Sequence, residues 1–182
     1  MQVSLDKNEA DLLELFSEAA IQSRILELSK EINKEFSKDE DLVVIAVLSG
    51  SILFASDLIK RLHMPIQFEF VRLSSYGNDQ KSSGRVKPLD LTLPGLANKN
   101  VLLVEDIVDT GITANFMLDY IQMQHKPKNL KFASLLDKTC ARQKPVDIHY
   151  RGFEVDDKFV VGYGLDYMGY FRNLPYIGYF PN

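Results

Sequence analysis

The run Leu42-Val43-Val44-Ile45-Ala46-Val47-Leu48 has no polar face. A strand with one face in water alternates apolar and polar residues. A short, β-branched segment that is apolar at every position has to be covered on both sides, which is the situation of a strand inside a parallel sheet packed between helices. Ser49-Gly50-Ser51 closes the run, and a helix is predicted over about residues 52–62. Upstream, Ile21, Ile25, Leu28, Ile32 and Phe36 recur at steps of three and four, so residues 17–36 read as a helix with Ser17 at its N-cap. Further strands are expected at 66–73, 101–104, 130–136 and 159–161, with a helix over about 113–124. Strands alternating with helices predict an α/β fold, a mostly parallel twisted sheet flanked by helices. The aromatic-rich tail from Tyr163 to Phe180 is expected to pack over one end.

Composition narrows the function classes. A chain of 182 residues fits one domain, here 1–182, and can bury a continuous core. The net charge of −4 argues against a broad nucleic-acid-binding face, though not against a small phosphate site. No apolar run is long enough to span a bilayer, and Met1 to Lys7 shows no secretory pattern, so a cytoplasmic address is expected and no membrane partner. Cys140 is the single cysteine, which excludes an internal disulfide, and His63, His125 and His149 are scattered and carry no site. Residues 74–91 are polar, contain Gly77 and Gly84 and lack an apolar period. They predict a long loop or weak hairpin of the length that is usually functional.

The chemistry concentrates after the 101–104 strand, in Glu105-Asp106-Ile107-Val108-Asp109-Thr110-Gly111-Ile112-Thr113-Ala114. Ligands of open α/β sheets bind beyond the carboxyl ends of strands. Thr110, Gly111 and Thr113 place hydroxyls and approachable N–H groups at a helix start, a cradle for phosphate. Glu105 and Asp106 suit a ribose diol or the magnesium of a pyrophosphate, since hard cations take oxygen ligands. An acidic N-cap on an ordinary connection explains neither three acids in five residues nor two threonines around a glycine. Neither a P-loop nor a dinucleotide fingerprint is present.

Residues 101–113 resemble the phosphoribosyl pyrophosphate signature of type I phosphoribosyltransferases. Five further blocks, at 48–51, 74–79, 135–138, 159–167 and 170–178, resemble the short bacterial-type hypoxanthine-guanine phosphoribosyltransferases, in family order over about residues 16–180. The resemblance implies the type I phosphoribosyltransferase fold with a small hood made by the terminal segments. It implies transfer of a phosphoribosyl group from phosphoribosyl pyrophosphate to a 6-oxopurine, with Mg2+ as cofactor and a homodimer or homotetramer as assembly. Glu105 and Asp106 would bind ribose hydroxyls and magnesium, and Asp109 would act as general acid/base near purine N7. The segment Glu105 to Thr113, including Ile107, Val108 and Ile112, would hold the phosphoribosyl group. Ser49, Gly50 and Arg172 would meet pyrophosphate, with a cis peptide between Leu48 and Ser49. Lys138 would donate to the 6-oxo group, Phe159 would stack on the base and Val160 would read its edge. Asp166 would border the purine and a second magnesium. The 74–91 segment would close as a flexible lid bearing Ser75 and Tyr76.

Two positions depart from the family pattern. Ser49 replaces a basic residue common in the pyrophosphate loop, and Ile112 a polar or basic one, so backbone amides are expected to carry more of the phosphate contact. A regulator of the same fold that senses phosphoribosyl pyrophosphate while binding nucleic acid would need a basic face that an acidic chain does not offer. A transferase acting on xanthine or a pyrimidine differs only in its acceptor, and Lys138 with Phe159-Val160 favours a 6-oxopurine.

Overall fold

The computed structural model describes residues 8–75, 86–90 and 92–181. The chain runs β1 (Leu13–Phe16), α1 (Glu18–Glu35), β2 (Leu42–Leu48), α2 (Ile52–Ile59), β3 (Ile66–Ser75), β4 (Val86–Asp90), β5 (Asn100–Val108), α3 (Ile112–His125), β6 (Asn129–Asp137), β7 (Tyr150–Glu154), β8 (Val160–Val161) and β9 (Ile177–Tyr179). The main sheet has the order β4-β3-β2-β5-β6-β7. Its pairings are parallel except for β4, which lies antiparallel to β3. The second sheet, β1-β9-β8, is antiparallel and joins the amino-terminal strand to the carboxy-terminal segment, which is the hood.

The apolar run at β2 behaves as its composition requires. Leu42, Val44 and Ala46 pack with Leu102 and Val104 of β5 against Ile21, Ile25, Leu28 and Ile32 of α1 and Phe54 of α2. Val43, Ile45 and Val47 face the other way, with Val101 and Leu103, against Ala114, Met117 and Ile121 of α3. Each Val, Leu, Ile, Met or Phe among them contributes about 1.5–3 kcal/mol on full burial, so both faces of the central strands hold the helices in place. Ser17 caps α1 as expected, its Oγ accepting from the Ala20 N–H at 3.2 Å.

Several elements differ from the sequence reading. Helix α2 stops at Ile59, because the N–H groups of Arg61 and Leu62 bond three residues back, to Leu58 and Ile59 at 3.0 and 3.2 Å, tightening the exit towards β3. Strand β5 does not end where its acids begin: pairing with β6 continues to Val108↔Asp137, so Glu105 and Asp106 are strand residues. The 159–161 strand belongs to the hood, not to the parallel sheet. Strand β7 was not anticipated, since Tyr150-Arg-Gly-Phe-Glu is half polar and sits at a sheet edge. The 74–91 segment takes the hairpin alternative at its described ends, with Ser74↔Lys87 and Ser75↔Val86 paired antiparallel. Tyr76 lies outside the described residues. No described helix is long and apolar enough to cross a membrane.

Candidate active site

The chain leaves β2 for β3 on one side and returns to β5 on the other, so the order of the sheet reverses between β2 and β5. Strands β2 and β5 pair only as far as Ala46↔Val104, whereas β5 stays with β6 to Val108. Beyond that point the two strands part company and a crevice opens, the place where open α/β sheets bind ligands. A cavity of about 360 Å³ occupies it, lined by Leu48, Ser49 and Gly50 from the end of β2, by Glu105 to Gly111 and Thr113 from β5 and its loop, and by Asp166 and Arg172 from the hood.

The loop between β5 and α3 is shaped from outside. Arg142 donates to the carbonyls of Asp109 and Val108 at 3.0 and 3.1 Å, and is itself held by the buried carboxylate of Asp137. The Thr110 carbonyl accepts from the N–H groups of Gln143 and Lys144 at 2.9 and 3.0 Å. With these carbonyls bound, Gly111, Thr113 and Ala114 bring the first turn of α3, the positive end of its dipole, to the cavity wall, and the Ile112 N–H makes a long contact of 3.4 Å with Thr110 Oγ1. Gly111 makes the turn at φ +81°, and a Cβ there would run into the Lys144 carbonyl oxygen. Gly111→Ala is expected to cost about 1–3 kcal/mol of stability from the strained backbone alone and to weaken binding of a phosphorylated ligand in the cavity. Thermal unfolding together with calorimetric titration checks this, and a variant unchanged in both would show the turn to be unconstrained.

Two carboxylates enter from consecutive positions of β5. Glu105 is buried, and its Oε1 has no hydrogen-bond partner. Burial first, then the adjacent Asp106 charge, push its pKa up to about 8. Asp106 is raised to about 6, again mainly by burial, with Asp166 adding repulsion while the backbone N–H groups of Asp106 and Ile107 and the Arg172 charge oppose the shift. Gly50 fits because it has no side chain: a Cβ would collide with Asp106 Oδ2. The Leu48–Ser49 peptide just before it is cis. No three His, Cys, Asp or Glu side chains among the described residues form a closed metal cage. Buried, partly unsatisfied carboxylates still fit a magnesium ion that takes its remaining oxygens from a phosphorylated ligand, as that ion commonly does.

The hood supplies the opposite wall. Arg172 donates to the Gly164 carbonyl at 2.5 Å and pairs with Asp166 at 2.6 Å, while Asp166 also accepts from the Gly169 N–H at 2.7 Å. Asp106, Ile107, Asp109 and Asp166 line, besides the first cavity, a second one of about 280 Å³ whose other walls are Lys138, Lys158, Phe159, Val160 and Leu165. Phe159 leaves 57% of its surface exposed and meets Tyr167 edge to face, so it is an open apolar platform and not a core residue. Lys138 pairs with Asp157 at 2.8 Å and donates to the Lys158 carbonyl at 3.3 Å. Burial works to lower its pKa, but the Asp157 hydrogen bond and the charges of Asp109 and Asp157 outweigh it and hold the ammonium above the ordinary lysine value.

The structure therefore brings together almost every residue singled out from the sequence, in two joined cavities. Ile112 is not among them: its side chain lines a separate groove on α3 with Phe116, Tyr120 and Met123. Ser75 lies at the end of β3. The sequence reading missed Arg142, Lys158, Leu165 and Gly164. Leu165 and Gly164 sit inside a singled-out block, but nothing local distinguishes Arg142 from a surface arginine.

A family model for the phosphoribosyl transferase domain matches residues 12–168. The hypoxanthine-guanine phosphoribosyltransferase of Aquifex aeolicus is 45% identical over 88% of this chain and 90% of that protein. The enzyme of the same name from Bacillus subtilis is 40% identical, with 90% of each covered. A crystal structure of a Bacillus anthracis hypoxanthine-guanine phosphoribosyltransferase, with HEPES in its active site, superposes with a TM-score of 0.85 at 43% identity, over 92% of this chain and 97% of that one. With the family model matching residues 12–168 and relatives of this name at 40–45% identity over most of both chains, the chain belongs to the phosphoribosyltransferase family, in its hypoxanthine-guanine branch, and is an enzyme of purine salvage.

Proposed function

We propose that the enzyme transfers the 5-phosphoribosyl group of phosphoribosyl pyrophosphate to N9 of hypoxanthine and of guanine, releasing pyrophosphate with IMP or GMP. The observation that carries this reading is the seam between the cavities: Asp109 borders both the phosphate cradle and the Lys138–Phe159 chamber. A sugar in the first cavity thereby meets a base in the second beside a carboxylate.

In the reaction the bond from the anomeric carbon to pyrophosphate breaks and the bond to N9 forms, while the base loses its N7 proton to Asp109. The backbone from Asp109 to Thr113, with Ile112 contributing its N–H, holds the 5′-phosphate. Ser49 and Gly50 with Arg172 receive the pyrophosphate. Among the described residues lining the first cavity Arg172 is the one basic side chain, so Ser49 adds no charge there. Glu105 and Asp106 hold the ribose hydroxyls, and together with Asp166 they are the residues that would hold magnesium. Bound there, Mg2+ neutralises charge on the leaving group. Phe159 stacks on the purine, Val160 reads its edge by main chain and Lys138 donates to O6. Closure of the 74–91 segment with Ser75 and Tyr76 protects the developing cation from water. The reading takes residues 1–182 as one domain working as a homodimer or homotetramer. It includes a cytoplasmic address, which the exposed free thiol of Cys140 suits.

Hypoxanthine is expected to give IMP readily, and adenine to turn over about a hundredfold more slowly, because the Lys138 ammonium donates only and cannot satisfy a 6-amino group. Steady-state assays with hypoxanthine, guanine, xanthine and adenine decide this. Adenine matching hypoxanthine overturns the base assignment, and a clear preference for xanthine moves the enzyme to a different acceptor.

A further inference from the structure

Tyr163 contributes nothing to the walls of either cavity. It is nonetheless held with unusual care. The residue is buried at φ +47°, a left-handed conformation that a bulky side chain seldom adopts, between Gly162 at φ +96° and Gly164 at φ +99°. Its hydroxyl donates to Asp57 Oδ2 on α2 at 2.5 Å. That carboxylate also accepts from Gln22 at 2.8 Å and pairs with Lys60 at 2.5 Å, and Gln22 is fastened in turn by Arg61 at 2.8 Å. Burial disfavours the Asp57 charge, yet the hydrogen bonds from Lys60, Tyr163 and Gln22 prevail and keep its pKa below the usual value. A strong, ionised anchor is therefore spent on a turn at the edge of the hood.

The turn leads directly to the phosphate wall. The Tyr163 and Gly164 N–H groups donate to the carbonyls of Leu174 and Arg172, both at 2.9 Å. Gly164 packs so closely on the Gly50 carbonyl that a Cβ would overlap it, and the Gly164 carbonyl is the acceptor for Arg172 Nη1. Gly50 in turn abuts the Asp106 carboxylate. Moving the backbone at Tyr163 by a fraction of an ångström moves Gly164, and with it Arg172 and the pyrophosphate loop.

We propose that Tyr163 is a positioning residue for phosphoribosyl pyrophosphate: its hydroxyl, moored on Asp57, seats the Gly164–Arg172 turn against the Gly50 loop in the geometry that receives the pyrophosphate. The inference rests on the reading of the first cavity as the phosphoribosyl pyrophosphate site. It assigns Lys138 and Phe159, the residues that would hold the base, no direct dependence on this bond, because other contacts hold them, although Leu165 and Asp166 of the chamber follow the same turn.

Tyr163→Phe removes one oxygen and keeps the ring. The expected result is a rise of about tenfold in both KM and the calorimetric Kd for magnesium phosphoribosyl pyrophosphate, with kcat and the KM for hypoxanthine within about twofold of the parent. Asp57→Ala, which also frees Gln22 and Lys60, should raise the same constant, and the double variant should be no worse than the Asp57 variant alone, since both singles remove the Tyr163–Asp57 bond. A loss of melting temperature in Tyr163→Phe with phosphoribosyl pyrophosphate binding unchanged would show a purely structural tyrosine and overturn the proposal, as would an equal rise in both KM values or additive single effects. The parent enzyme separates the two levels. If it binds phosphoribosyl pyrophosphate but uses no 6-oxopurine, the functional reading fails while the Kd comparison still decides this inference; if it binds none, both fall.

Discussion

Asp109→Asn lowers kcat by about 10²–10⁴-fold and leaves the affinity for phosphoribosyl pyrophosphate close to that of the parent, if the carboxylate takes the N7 proton. The structure makes this a clean substitution. The loop around Asp109 is set by Arg142 on its carbonyl and by Gln143 and Lys144 on Thr110, none of which touches the carboxylate itself. Asparagine keeps the volume and most of the hydrogen bonding but cannot accept and return a proton. Glu105→Gln and Asp106→Asn, on the strand beneath, should instead raise the apparent constant for phosphoribosyl pyrophosphate along with any loss of rate, because the proposed reading gives them the sugar and its cation. Steady-state kinetics with calorimetric binding on the three variants separates the roles. Near-normal kcat in Asp109→Asn would leave that carboxylate only a placing role.

Removal of divalent cations should reduce turnover to background and weaken phosphoribosyl pyrophosphate binding by more than about a hundredfold. The reason is the sign of the charge in the crevice. Asp106, Asp109 and Asp166 line the first cavity against Arg172, which is already committed to Asp166, while Glu105, its pKa raised to about 8 mainly by burial, holds its proton near neutrality and adds its charge only on losing it. Two like unit charges about 4 Å apart repel by about 4 kcal/mol at an effective dielectric constant near 20, equivalent to about three orders of magnitude in affinity. A pyrophosphate entering without a counter-cation meets that repulsion. Titrating Mg2+ back after chelation should restore both binding and turnover. Full activity in excess chelator would remove magnesium from the assignment.

What the sequence determined by itself is what local chemistry can express. The two-faced apolar run at 42–48 had to be an interior strand. The three-and-four spacing from Ile21 to Phe36 had to be a helix lying on it, and Ser17 could cap it because an N-cap bond spans only three residues. The cluster from Glu105 to Thr113 declared itself because its acids, hydroxyls and glycine are contiguous, so a strand-to-helix turn is enough to make a cradle of them. Tertiary structure decided everything that depends on residues far apart in the chain. The hood was indistinct as a sheet because β1 pairs with β9, Leu13 facing Tyr179, and strands of two to four residues carry no readable period. The acids looked like a strand end, since polarity usually marks one, but partnership with β6 carries β5 four residues further while β2 falls away to open the crevice. Rotation about α3 turns Ile112 out of the cradle that its neighbours Gly111 and Thr113 line. Folding across 106 residues ties Tyr163 to Asp57, and across 34 it brings Arg142 to the carbonyl of Val108. Such contacts have no local signature, because each depends on where the sheet places two segments and not on what either segment prefers alone.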